Sequence, residues 1–292
     1  MENKNRDYST ISPSAKALIL MKGLTNIPYA KETATLISLP EKYVQDYSSR
    51  EMFYWARVLH FEYRYWSIDQ LLADIPHKNI LELSSGFSFR GLAVIQKEEV
   101  HYIDTDLPNI IEAKEHFTET LKGNNFQAKG TLEILPLNAL DEEGVRDTTN
   151  HFPPGEIVIV NEGLLMYLGM PEKEKLCSII RKILQERGGY WITADIYIKN
   201  EYSNDRTGMT DELNQFFQQH NIAENMFDSF EAAESFFNQN GFTLDKEAEM
   251  NYQDMTVMPY LLQSATPERM EMAKKQGRIH ATWRLKLATP NP

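Results

Sequence analysis

Four short stretches of this chain set small residues beside carboxylates or amides, in patterns able to grip a polar ligand. The first is Glu82-Leu83-Ser84-Ser85-Gly86-Phe87-Ser88-Phe89-Arg90-Gly91. Small residues at 84 to 86 let a chain turn tightly and let its backbone approach a ligand. Only Gly86 and Gly91 are glycines, so the GxGxxG cradle for a pyrophosphate is missing. A ligand without phosphates tolerates that loss. The second is Tyr102-Ile103-Asp104-Thr105-Asp106-Leu107-Pro108, where either acid can accept hydrogen bonds from both hydroxyls of a ribose. In the third, Leu137-Asn138-Ala139-Leu140-Asp141, the Asn138 amide can meet the amino group of an adenine. The fourth, Asn161-Glu162-Gly163-Leu164-Leu165-Met166-Tyr167-Leu168, suits the ammonium or sulfonium side of a ligand. Three of the stretches also have a plainer reading. The first is an ordinary strand-to-helix turn, Asp106 supports the helix that opens at Pro108, and the last is a solvated strand end.

The elements that must position these residues alternate. Asn79 to Leu83, His101 to Ile103, Thr131 to Leu137, Glu156 to Val160 and Tyr190 to Ala194 read as strands. Between them lie helical stretches: Arg90 to Gln96, a helix from Pro108 with Ala113, Phe117 and Leu121 at steps of four, and Pro171 to Arg187, stopped by Gly188-Gly189. Such alternation implies a parallel, doubly wound α/β sheet, because parallel strands need crossover connections. In such a sheet ligands bind beyond the carboxyl ends of the strands, where the strand order reverses. All four stretches follow strands.

Roughly the first 75 residues read as helical, with a start at Ser12-Pro13 and an aromatic-rich helix from about Glu51 to Leu72. That helix carries aromatics on several sides, which predicts burial against the sheet. A further helix spans about Ser229 to Asn240, and His280 to Leu287 reads as a strand. The simplest organisation is one domain over 1–292. It comprises a helical cap (1–75), a cofactor-binding core (76–200) and a lid segment with completion of the sheet (201–292).

Composition narrows the partners. Forty-two acidic residues against thirty basic ones leave a formal charge of -12, with no dense Lys/Arg cluster, which disfavours a nucleic-acid partner. The single cysteine, Cys177, forms no internal disulfide or CxxC metal site and agrees with a reducing compartment. No run approaches the ~18 apolar residues of a membrane span. A cytoplasmic protein without bound metal is expected.

The segments ELSSGFSFRG, YIDTDLP and NEGLLMYL resemble motifs of the leucine carboxyl methyltransferase superfamily, and most of all its bacterial branch of polyketide O-methyltransferase-like proteins, the tetracenomycin biosynthesis type. The similarity runs from about Ile11 through GGYWITADIY at 188 to 197 and fades beyond, with EGLLMYL its most specific part. The resemblance implies a class I methyltransferase Rossmann-like fold, S-adenosyl-L-methionine as cofactor and a small-molecule methyl acceptor. Carried over by position, it implies that Lys16 on the first helix and Arg57 in Ala56-Arg57-Val58 bind the methionyl carboxylate. It further implies Gly86 for the glycine of the first motif, Asp106 rather than Asp104 for the ribose, Asn138 and Ala139 beside the adenine, and Glu162 on the methionine side. Family members often carry Asp at the position of Asn138, and Lys22 lies close to Lys16 as an alternative.

A carboxylate acceptor needs no base, whereas a phenol benefits from one. His60, His151 and Tyr197 are candidates, and no spacing favours any of them. Tyr202, Phe216, Phe217 and Phe227 can line an acceptor site or pack a core. Two other classes share such a sheet. One is a nicotinamide-dependent oxidoreductase, which prefers the glycine fingerprint missing here; the other is a catalytically silent cofactor-binding protein.

Overall fold

A computed structural model of the chain describes residues 12–48, 50–76, 78–199, 220–249 and 251–289. Tyr202, Phe216 and Phe217 lie outside the described residues. Its centre is a seven-stranded sheet of β1 (Asn79–Leu83), β2 (His101–Asp106), β3 (Thr131–Pro136), β4 (Ile157–Asn161), β5 (Gly189–Tyr197), β6 (Phe242–Glu247) and β7 (His280–Leu287). The strand order is β3-β2-β1-β4-β5-β7-β6. The first five strands are parallel, and β7 pairs antiparallel with both β5 and β6. The order reverses between β1 and β4, and there the crossover helices leave to opposite faces and open a crevice.

Burial on both faces explains the near-continuous apolar strands. Ile80 of β1 lies in register with Tyr102 and Val158, and all three pack into one core layer. The next residue, Leu81, sits level with Ile103 and Ile159 in the opposite layer. At about 1.5–3 kcal/mol for each large side chain buried, a one-residue slip in register would forfeit both layers.

The N-terminal helices are α1 (Ser12–Lys22), α2 (Ala30–Ser38) and α3 (Met52–Ala73). As its aromatic girth predicted, α3 is buried, packing against β5 and β7. Between strands run α4 (Arg90–Lys97), α5 (Pro108–Lys122), α6 (Glu142–Thr149) and α7 (Met170–Arg187). Then follow α8 (Phe230–Gln239), α9 (Met258–Ser264) and α10 (Pro267–Gln276). Among the described residues no helix is long and apolar enough to cross a membrane.

On α5 the apolar stripe does not mark the deepest positions. Ala113, Phe117 and Leu121 are only partly buried, whereas Lys114 is fully enclosed. Its Nζ lies 2.9 Å from Asp104 Oδ2 and donates to Ser85 Oγ at 2.7 Å. This pair ties α5 to the tips of β1 and β2. Removing one partner of a buried pair leaves the other charged and uncompensated, at a cost of about 3–5 kcal/mol. Urea unfolding of Lys114→Met is therefore expected to show a loss of about that size; a change below ~1 kcal/mol would mean that the pair is replaceable.

Candidate functional site

A cavity of about 410 Å³ opens over the C-terminal ends of β1 to β5, roofed by α1 and α3. Every strand tip contributes, and each contribution has a local cause.

After β1 the chain turns through Ser84 and Gly86, both left-handed, with φ of 54° and 51°. A Cβ added at Gly86 would meet nothing within 4 Å, because this residue faces open cavity. The turn is pinned from the next strand: Gly86 N–H donates to Asp106 Oδ2 at 2.7 Å, and Leu107 N–H donates to Oδ1 at 2.7 Å. Burial raises the Asp106 pKa above the ordinary carboxylate value, against the pull of those two N–H groups. Asp106 lines the cavity; Asp104 does not, being occupied with Lys114 beneath it. Beyond β3, Asn138 and Ala139 also line the cavity, with Asn138 Oδ1 accepting from Leu140 N–H at 3.0 Å.

Glu162, past the end of β4, is the electrostatic centre. Its Oε1 lies 2.6 Å from Lys22 Nζ and 3.7 Å from the Arg64 guanidinium, and its Oε2 lies 3.3 Å from Arg90. Burial opposes ionisation, yet Lys22, Arg64 and Arg90 outweigh it and hold the Glu162 pKa at about 2. Burial likewise lowers the Lys22 pKa, against the pull of Glu162. Arg90 also pairs with Asp69 and lies over the Tyr65 ring at 3.9 Å.

The loop after β4 is shaped by Asp195 on β5. Its carboxylate accepts from Gly163 N–H at 2.6 Å, Leu164 N–H at 2.7 Å and Leu165 N–H at 3.1 Å, and from the Asn161 amide at 2.6 Å. Between Thr193 and Ile196 on β5, β7 advances only from Trp283 to Ala281, so β5 carries one extra residue there. Such a bulge re-aims side chains, here near Ala194 and Asp195. Gly163 has φ of 82°, and a Cβ there would come within 2.9 Å of Arg64. The left-handed backbone favours glycine, and any side chain there would also have to displace the Arg64 guanidinium from between Glu162 and Asp195.

The residues named from sequence divide by location. Arg57, Gly86, Asp106, Asn138, Ala139 and Glu162 all line the cavity. Lys16 is exposed on α1 and outside the lining, and the lysine of that helix at the cavity is Lys22. Six residues separate them, close to two helical turns less one residue, so they point in different directions. Phe227 packs against Phe236 and Phe237 in the core rather than in the cavity. His151 is outside too, 2.7 Å from Glu133. His60 and Tyr197 both line the cavity.

Sequence reasoning missed Arg64, Arg90 and Asp195. Arg64 could have been found, since it follows Arg57 by seven residues and so shares its helix face about 10 Å along the axis. A charge within such an aromatic helix must be paired or at a site. Nothing local marked Asp195, whose role comes from the bulge.

Because the Glu162 pKa is depressed, its stabilising effect is complete above its ordinary value of 4.5 and drains away as pH falls toward about 2. The difference corresponds to about 3 kcal/mol. Glu162→Gln should remove a similar amount at neutral pH and flatten the acid side of the stability curve, read by urea titrations from pH 7 to pH 3. An unchanged acid limb would exclude Glu162 as its source.

No protein-family model matches this chain, and no curated protein matches it. Solved structures do. A DUF574 family protein from Streptomyces avermitilis superposes with a TM-score of 0.54 at 10% identity, over 93% of this chain and 97% of that one. The methyltransferase domain of bacterial CtHen1-C superposes with a TM-score of 0.52 at 11% identity, over 79% of this chain and all (100%) of that one. A pericyclic reaction enzyme matches at 0.44 and 11% identity, over 89% of this chain and 53% of that one, so the chain spans about half of that protein's length. At such identities the likeness is one of architecture: the chain has the Rossmann-like α/β fold seen in methyltransferases.

Proposed function

We propose that this chain is an S-adenosylmethionine-dependent methyltransferase acting on an oxygen of a small organic acid or phenol. The observation that carries the reading is a single cavity, at the point where strand order reverses, lined in succession by Gly86, Asp106, Asn138 and Glu162. Its volume of about 410 Å³ falls within the roughly 300–1,000 Å³ of small-molecule sites.

The residues fit that cofactor. Open space at Gly86 leaves room for a ligand to lie against the turn. Asp106 is the acid for the ribose hydroxyls, with Asn138 and Ala139 beside the adenine. Lys22 and Arg64, with Arg57, supply positive charge for a carboxylate, and Glu162 supplies negative charge for an ammonium. The missing glycine fingerprint matters little, since the ligand has no pyrophosphate to cradle. S-adenosylmethionine, when bound, brings a methyl group already activated on a sulfonium. What remains for the protein is binding, alignment and exclusion of water. Holding two reactants in attack geometry supplies roughly 7–11 kcal/mol. Leu18, Met21, Phe61 and Met166 on the cavity wall provide a dry setting for it.

Calorimetry tests the reading. S-adenosylmethionine and S-adenosylhomocysteine are expected to bind, and NADH is not. Asp106→Ala should weaken cofactor binding by about 1.5–3 kcal/mol, the worth of a charge-assisted hydrogen bond. Binding of NADH alone would overturn the proposal in favour of an oxidoreductase. An unchanged affinity in the variant would remove Asp106 from the ribose. Cofactor binding without turnover of any acid or phenol would favour a silent binding protein.

A further inference from the structure

The residues assigned to the cofactor occupy the tips of β1 to β4, which leaves the β5 side of the cavity to another molecule. The cavity wall is mostly apolar, with Leu18, Met21, Phe61, Met166 and Met226 among its residues. Set into the cavity wall is a bonded polar cluster: His60 Nε2 on α3 lies 2.7 Å from the hydroxyl of Tyr197, at the end of β5, and that hydroxyl also accepts a hydrogen bond from Arg64.

We propose that Tyr197 and His60 form a proton relay for the methyl acceptor, and that the acceptor presents an acidic hydroxyl, a phenol or enol, on an apolar body. This rests on the methyltransferase reading above.

The pair is built to hold neutral imidazole. His60 faces Arg64 on its own helix, Lys22 on α1, His280 on β7 and Tyr197 on β5. Burial, His280 and the two cations keep its pKa well below the ordinary imidazole value of 6.5. His280 is itself committed: its Nε2 donates to the Ala194 carbonyl at 2.9 Å, and its ring meets His60 nearly edge-on, with centroids 4.8 Å apart. Neutral His60 can therefore accept the Tyr197 proton at Nε2, which frees the Tyr197 oxygen to accept from a bound hydroxyl.

The step balances. The acceptor oxygen bonds to the donor's methyl carbon, and the carbon–sulfur bond breaks with its electron pair left on sulfur. The acceptor's proton passes to the Tyr197 oxygen as the Tyr197 proton passes to His60 Nε2. One positive charge leaves sulfur and one appears on imidazole, so the total charge enclosed in the cavity does not change. His60 then releases its proton to solvent, a loss that Arg64 and Lys22 favour. A carboxylate arrives already ionised and gives this relay no proton to take. A base held below the usual imidazole range suits an acidic hydroxyl rather than an aliphatic alcohol. Tyr197 is the residue that touches the acceptor; His60 acts through it.

The test uses the full chain and matched probes: 4-nitrophenol and 1-naphthol against 4-nitrobenzoate and 1-naphthoate, with labelled S-adenosylmethionine. Methylation of the phenols is expected. Tyr197→Phe and His60→Ala should lower kcat about 10²–10⁴-fold while the dissociation constant for S-adenosylhomocysteine stays within twofold. Added imidazole should restore part of the His60→Ala rate, which a merely structural role for His60 would not allow. The wild-type rate should fall only on the acid side, below the usual imidazole range, as His60 becomes protonated. Without turnover, the absorption of 4-nitrophenol bound beside S-adenosylhomocysteine reports its phenol–phenolate balance, and this balance should differ between wild type and Tyr197→Phe. Methylation of the carboxylates alone, of neither class, or of phenols at full rate in both variants overturns the relay, as does an unaltered 4-nitrophenol spectrum. Absence of cofactor binding would instead sink the methyltransferase reading itself.

Discussion

Glu162 draws Lys22 from α1, Arg64 from α3 and Arg90 from α4 onto one buried carboxylate, and the position of the helical roof over the sheet follows from that convergence. Charges so enclosed are poor stabilisers: apolar residues of similar volume often hold two elements together as well or better. What apolar residues could not provide is a charged end, with both signs present, to an otherwise oily cavity. The same knot that closes the roof therefore gives the cavity its polarity. The surrounding acids, Asp195 at 3.5 Å from Arg64 and Asp69 on Arg90, keep the three cations from repelling one another apart.

The sheet divides the remaining work. Asp106 is not simply an acid at a strand end; with one oxygen on Gly86 and the other on Leu107 it sets the shape of two loops at once. Asp195 does the same for the loop after β4, collecting three successive N–H groups. These two carboxylates lie on either side of the β1–β4 switch. Between them the backbone is fixed before any ligand arrives, which lowers the ordering cost of binding. Tyr197, two residues past Asp195 and beyond the bulge, extends the cavity wall toward His60 and the apolar half.

Much of this was legible in the sequence because parallel strands buried on both faces announce themselves as short apolar runs with chemistry at their ends. Ile157–Asn161 and His280–Leu287 lie where the pattern put them, to within a residue. β6 went unread because Phe242–Glu247 sits at the sheet edge and carries too few apolar residues to stand out. β5 runs three residues further than its apolar pattern, and those extra residues include both Asp195 and Tyr197. At the site, the segments following strands were readable from position, while the choice of Asp106 over Asp104 came from the resemblance. The three cations around Glu162 were not. Lys22, Arg64 and Arg90 belong together only after three helices have packed, and a linear pattern carries no sign of that. Lys16 and Lys22 both stand on α1, and only helix orientation separates the exposed one from the buried one.

A crystal structure of the chain grown with S-adenosylhomocysteine tests the central claim most directly. Adenosine should lie across the ends of β1, β2 and β3 with its ribose hydroxyls on Asp106, and its amino-acid end should reach toward Lys22, Arg64 and Glu162. A ligand bound elsewhere, or density showing those strand ends filled by the protein's own side chains, would contradict the account.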